Sequence, residues 1–333
     1  MELVKRIPPL NGTPPSAVFD ASHGQGNWAQ TGFPSREMHT NFAGLTEILC
    51  RRGFQCRSTG RESLLVHLPS SHLLVLPPPT GSYDSRKERW REQRSARFTR
   101  EEVRAVLGYL QDGGRLLAFA YRFGDSFTQT NLGDLCLPLG CRLNDDAVID
   151  IRALRQTDPL HLHFDIAAES LRPGWSRCGV GRVAWRPVAT FTLEPNATAW
   201  PLALSTGGGC LSFDRTLRRI SFASLPIAVC GHHGAGRFAW FGGPHLFESS
   251  PLGLLGQADN TRFLQNTLAW LLSKVADDEP RPEPRREPGI APCFQALSRV
   301  EACGNGERTI ASVERALRKA GVLKALSRAQ WMP

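Results

Sequence analysis

The chain is 333 residues long and 41% hydrophobic, rich in glycine and proline, with a formal net charge of +9. That length accommodates one large α/β domain or two smaller ones. No apolar run approaches the roughly 18–20 residues of a membrane span, and the N-terminus lacks the apolar core of a secretory signal, so a cytoplasmic protein is expected.

Residues 1–16 read as an extended arm. The continuous apolar run Ala17-Val18-Phe19 marks a buried parallel strand. It ends in Asp20-Ala21-Ser22-His23-Gly24-Gln25-Gly26-Asn27. Open α/β sheets hold ligands beyond the carboxyl ends of their strands. Asp20, Ser22, His23, Gln25 and Asn27 are therefore candidates for a pocket floor. The competing reading has the acid and the hydroxyl only satisfying turn amides.

A helix is expected over 37–52, with Phe42, Leu45, Ile48 and Leu49 at helical spacing and Gly53 at its C-terminal cap. Strands follow at 54–58 and 73–76, the second stopped by Pro77-Pro78-Pro79. The basic stretch 86–100 interleaves Glu88, Trp90 and Glu92 with its arginines, which marks a solvated loop or a partner surface rather than a nucleic-acid interface. Thr99 then caps a helix with acids in its first turn, and Asp112-Gly113-Gly114 ends it.

Leu116–Ala120 is a fourth strand with polar residues beyond its end. These add Arg122, Asp125, Ser126 and Asn131 to the candidates, although Asp125 also suits a helix cap. Residues 128–139 form a helix or a loop, and 147–151 a strand. The alternation of strand, glycine-bearing turn and helix predicts a doubly wound parallel sheet. Residues 152–200 lack a helical period and suggest antiparallel strands.

Further strands fall at 200–204, 227–230 and 236–243. His232-His233 lie in a turn read as exposed, and Pro244-His245 beyond the last strand adds His245. Asp259-Asn260 cap a helix bearing Phe263, Leu264 and Leu268. Residues 277–292 alternate Pro, Arg and Glu and form a linker. Residues 307–326 are amphipathic and need the body or a partner to dock on. The nine cysteines are dispersed without a CxxC pair, which predicts buried free thiols rather than structural zinc.

Several blocks carry a resemblance through their order along the chain. They are Phe19-Asp20-Ala21-Ser22-His23-Gly24, Phe98-Thr99-Arg100-Glu101-Glu102 with Tyr109–Gly114, and Thr130-Asn131-Leu132 with Asn144–Val148. Leu204-Ser205-Thr206-Gly207, Gly236–Gly243 and Asp259-Asn260 with Trp270-Leu271 complete them. Over residues 17–274 they resemble the GIFT domain, shared by bacterial gliding-motility ABC-transporter auxiliary proteins and a core subunit of the intraflagellar transport B complex. The resemblance implies an α/β fold: a flavodoxin-like, class I glutamine-amidotransferase-like, mostly parallel sheet with helices on both faces. With the arm, linker and tail read from composition, the chain divides into an arm at 1–16, the sheet domain at 17–275, a linker at 276–292 and a helical tail at 293–333; the resemblance does not cover the arm, the Arg86–Arg97 insertion or the tail.

An active amidotransferase needs a cysteine on a Gly-x-Cys-x-Gly elbow after a central strand. Residues 118–124 place Tyr121 or a neighbour there, with no thiol. A pseudoenzyme scaffold or adaptor is expected, meeting protein partners through the tail 293–333 and the basic loop 86–100. The alternatives are a domain binding a small polar or carbohydrate-like ligand, and a hydrolase using the Asp20/His23 cluster, alone or holding a divalent metal with His245. No cofactor and no resident metal is assigned, and nucleic acid is not the expected partner.

Overall fold

A computed structural model describes residues 14–23, 42–59, 62–79, 82–84, 89–91, 96–150, 162–165, 179–195, 198–205, 210–214, 220–221, 224–249 and 253–273. Gln25, Asn27, the linker 276–292 and the tail 293–333 lie outside the described residues.

The central sheet has seven strands: β1 (Ser16–Phe19), β2 (Gln55–Ser58), β3 (Leu73–Leu76), β4 (Arg115–Phe119), β5 (Ala199–Leu204), β6 (Pro226–His233) and β7 (Gly236–Phe241). Their spatial order is β5-β6-β7-β4-β3-β1-β2. β2, β1, β3, β4 and β7 run parallel, β6 antiparallel to β7, and β5 antiparallel to β6. The mostly parallel sheet of the sequence reading is therefore present, and strands from both halves of the chain enter it. The helices are α1 (Ala43–Arg51), α2 (Leu64–His67), α3 (Arg100–Gln111), α4 (Gly124–Thr128), α5 (Gly133–Cys136) and α6 (Asn260–Leu272).

All residues of β1, β3 and β7 are buried, which is why Ala17–Phe19, Leu73–Leu76 and Phe238–Phe241 read as unbroken apolar runs. Their side chains alternate between two cores. Phe19, Leu73, Val75, Leu117, Phe119 and Phe241 pack with Leu45 and Leu49 of α1 and Phe263 and Leu268 of α6. Leu74, Leu76, Leu116, Ala118 and Trp240 pack with Leu64 of α2, Val106 and Leu110 of α3 and Leu135 of α5. Helices thus cover both faces. No helix among the described residues is long and apolar enough to cross a membrane.

Local chemistry sets the helix ends. The Thr99 hydroxyl accepts from Glu102 N at 3.2 Å while the Glu102 carboxylate accepts from Thr99 N at 2.8 Å, a reciprocal capping box. Gly53, just past α1, has φ +91°, a value that glycine adopts without steric cost. The stretch 128–139 resolves into the end of α4, then α5, then a 3₁₀ turn at Leu137–Leu139. Antiparallel pairing of Leu162–Asp165 with Arg182–Trp185 agrees with the reading of 152–200.

Ser82–Asp84, just before the basic stretch, pairs with Arg89–Arg91 inside it as an antiparallel hairpin, each strand centred on an aromatic residue of high strand propensity. Three readings are corrected. His232 and His233 belong to β6, and the His232 ring sits 5.4 Å from Trp200 and 5.8 Å from Trp270 rather than in open solvent. Cys136, Cys141 and Cys230 are buried free thiols, but Cys50 is exposed because its side chain falls off the core-facing stripe of α1. Asp259 makes no side-chain cap to α6; its carboxylate instead accepts from Gly181 N at 2.8 Å and Arg182 N at 3.1 Å.

One glycine of the sequence block 236–243 has a steric reason. A Cβ on Gly242 would stand 2.0 Å from the Ala189 carbonyl oxygen, where the backbones meet through Ala189 N donating to Gly242 O at 3.0 Å. Gly242→Ala is expected to destabilise the protein by about 1–3 kcal/mol through overpacking against backbone that has little room to shift. Urea denaturation checks this, and an unchanged midpoint would contradict the close approach.

Candidate functional site

Because β1, β4 and β7 are parallel, the residues that follow them gather at one edge of the sheet. Asp20 continues β1, with its N–H donating to Val75 O of β3 at 2.9 Å. Its carboxylate is fully buried. Oδ1 accepts from the Ser22 hydroxyl at 2.6 Å and from Ser22 N at 3.0 Å. Oδ2 accepts from His23 Nδ1 at 2.6 Å. Thr59, just past β2, holds Ala21 N at 2.9 Å and reaches Asp20 Oδ1 at 3.5 Å.

His23 is held on its other side as well. Its Nε2 lies 3.4 Å from Glu102 Oε2, and its ring stacks on Phe98 with centroids 3.9 Å apart. Burial disfavours the imidazolium, but the hydrogen bond and charge of Asp20, with Glu102 behind, outweigh it and hold the pKa above the ordinary histidine value. Burial alone would also raise the Asp20 pKa. The His23 and Ser22 bonds reverse that, leaving the carboxyl below its usual range.

Asn131 joins this group through Phe98. Its Oδ1 accepts from Phe98 N at 2.8 Å, and its Nδ2 donates to Phe98 O at 3.0 Å and to Asp134 at 2.9 Å. The amide therefore fixes the ring on which His23 stacks. Asp125 organises the turn into α5: its carboxylate accepts from the Thr130 hydroxyl, Leu132 N and Gly133 N, each at 2.7 Å. Burial pushes its pKa up against those bonds. Ser126 donates its hydroxyl to Phe123 O at 3.0 Å.

His245 belongs to a second group. Its Nδ1 meets Glu248 Oε2 at 2.7 Å, and its Nε2 lies 3.4 Å from the Tyr121 hydroxyl. Burial raises the Tyr121 phenol to about 12 and pushes the Glu248 carboxyl up even against its histidine neighbour. Arg122 lies beside Tyr121, its guanidinium 5.1 Å from that ring centroid and 5.3 Å from that of Phe127.

The edge thus carries two separate clusters. Among the described residues, no hydrogen bond or ion pair joins His245 to Asp20 or His23, and no group of His, Cys, Asp and Glu is placed to hold a metal ion. Both ring nitrogens of His23 face carboxylates, an arrangement that favours the protonated ring and turns neither nitrogen away from its own chain. The turn after β4 has the strand–turn–helix form of a nucleophile elbow. Phe123 and Gly124 carry its positive φ values, +59° and +51°, and neither a phenyl ring nor a glycine supplies a nucleophile.

Sequence reasoning found Glu102 and Thr99 as helix-start residues but missed that Glu102 also closes on His23, a contact between α3 and the turn after β1. It also missed Thr59, Tyr121 and Glu248 as partners. Only the His245-x-x-Glu248 spacing gave a local signal, since i and i+3 face one another on a helical turn.

No protein-family model and no curated protein matches the sequence. Solved structures do. The chain is similar to the N-terminal domain of mmIFT52, at 21% identity and a TM-score of 0.57, covering 80% of this chain and 99% of that one. It is also similar to the cytoplasmic protein STM3548 from Salmonella typhimurium, at 14% identity and a TM-score of 0.44, covering 77% and 98%. A ThuA-like protein from Bacteroides uniformis matches at 11% identity and a TM-score of 0.42, covering 81% and 97%. The first of these likenesses establishes a shared fold.

Proposed function

We propose that the chain is a non-catalytic, amidotransferase-like scaffold or adaptor that binds protein partners through its surface, with residues 293–333 and the basic stretch 86–100 as the docking segments. The observation that supports this reading is the self-satisfied edge of the sheet. Asp20, His23, Asp125, Asn131 and His245 direct their polar atoms at their own chain, and Asp20, His23 and His245 are almost wholly buried. Groups used in this way hold loops in place; they do not converge on a substrate. The GIFT-like order of sequence blocks, which resembles a transport-complex core subunit, points in the same direction.

The test compares affinity-tagged full-length chain with a truncation after Asp278. The two are expected to unfold at the same temperature, while partners that co-purify with the full chain are lost from the truncation. A partner set unchanged by the truncation would overturn the role of the tail, and a truncation that melts would place the tail in the core. The hydrolase reading of Asp20/His23 is disfavoured by the Glu102 contact at His23 Nε2. The small-ligand reading keeps one specific observation in its favour, the state of Arg122.

A further inference from the structure

Among the candidate residues at the carboxyl edge of the sheet, Arg122 differs from its neighbours. It follows β4, the middle strand of the seven, and is 2% exposed. Among the described residues, neither its Nε nor its Nη2 has a hydrogen-bond partner. Its close company is two aromatic rings, Tyr121 and Phe127, and Tyr121 is the group that favours its charge against the effect of burial.

A guanidinium stays protonated in proteins, so this residue cannot escape burial by losing its proton. A buried charge without a counter-charge is strongly unfavourable, and ring faces return only a small part of what water supplied. The atoms left over have a specific geometry. Nε–H and the outward Nη2–H lie on the same edge of the planar guanidinium, the edge that a carboxylate or phosphate engages with two parallel N–H···O bonds. Of the neighbouring acids, Asp125 is committed to Thr130, Leu132 and Gly133. Glu248 gives Oε2 to His245 and has no hydrogen-bond partner at Oε1 among the described residues, but it does not pair with Arg122, whose Nε and Nη2 are also without one. The position also fits, since α/β sheets take ligands beyond the carboxyl ends of their central strands.

From this placement we infer that Arg122 anchors a site for a small ligand bearing an oxyanion, a carboxylate or a phosphate, gripped through the Nε/Nη2 edge. The site is independent of the docking segments of the adaptor reading, and its test does not involve them. Tyr121 and Phe127 hold the guanidinium plane in place. Asp20, His23 and Asn131 are not ligands in this arrangement; they secure the adjacent turn.

Thermal unfolding of the full chain, at fixed ionic strength and pH, is followed in chloride, inorganic phosphate and malonate. Ligand at about ten times its Kd is expected to raise the Tm by roughly 3 °C over chloride. A response to phosphate alone identifies a phosphate-bearing ligand, and a response to malonate alone a carboxylate-bearing one. Arg122→Lys keeps the charge but loses the two-donor edge, and should lose most of the response. Arg122→Met removes the buried charge, and should abolish the response while leaving the chloride Tm equal or higher. A wild-type protein that responds no more to either anion than to chloride overturns the site. So does either variant responding as the wild type does.

Discussion

Asp20→Ala is expected to lower the unfolding free energy by about 3 kcal/mol, at the low end of what breaking a buried ion pair costs because His23 can shed its proton in response. The loss comes from more than one contact. With the carboxylate gone, His23 Nδ1, the Ser22 hydroxyl and Ser22 N lose their acceptor inside the fold. The same group predicts a pH signature. The folded pKa of His23 is raised, so its contribution is complete below the unfolded value of 6.5 and is lost as pH rises through the folded value. The folded pKa of Asp20 is lowered, so its contribution is complete above the unfolded value of 3.8 and is lost as pH falls through the folded value.

Stability from this pair should therefore hold between about pH 4 and 6.5 and decline on both sides. Asp125, Asp146 and Glu248 have pKa values raised by burial, so their contributions to the pH dependence carry the opposite sign to that of Asp20. The difference between the wild type and Asp20→Asn, which leaves those three acids in place, isolates His23 on the limb above pH 6.5. Urea denaturation from pH 5 to 9 should show wild-type stability falling over that limb and Asp20→Asn nearly flat there. Parallel curves for the two proteins would mean that His23 is not charged in the folded state.

Asn260→Ala is expected to cost about 3–5 kcal/mol, since it leaves three backbone groups without their partner in the interior. Asn260 is fully buried at the start of α6. Its Oδ1 accepts from Ala184 N at 2.8 Å, and its Nδ2 donates to Ala184 O and to Leu254 O, each at 2.8 Å. The side chain therefore continues the edge of strand Arg182–Trp185 as another strand would, and binds α6 to it. A fall in the urea midpoint at constant m-value would confirm a loss confined to these bonds. A change below about 1 kcal/mol would show that water replaces the amide.

The sheet-domain strands were legible because burial on both faces imposes unbroken apolar runs, as in Ala17–Phe19 and Leu73–Leu76. The start of α3 was legible because its cap is local: Thr99 and Glu102 lie three residues apart and satisfy each other. Asp259-Asn260 shows where local reading stops. The pair does stand at a helix start, but both side chains bond to strand Arg182–Trp185 or the turn before it, far away in sequence.

The sequence by itself determined that Asp20, Ser22, His23, Arg122, Asp125 and His245 follow the ends of strands, because strand ends follow from the apolar runs and the glycine turns. The tertiary structure decided what those residues contact. Whether Asp20 and His23 face a ligand or a carboxylate on α3, and whether Arg122 finds a counter-charge, depends on side chains that the fold brings together from separate strands and helices. Hydrogen bonding and desolvation act over a few ångströms of space, whatever the distance along the chain.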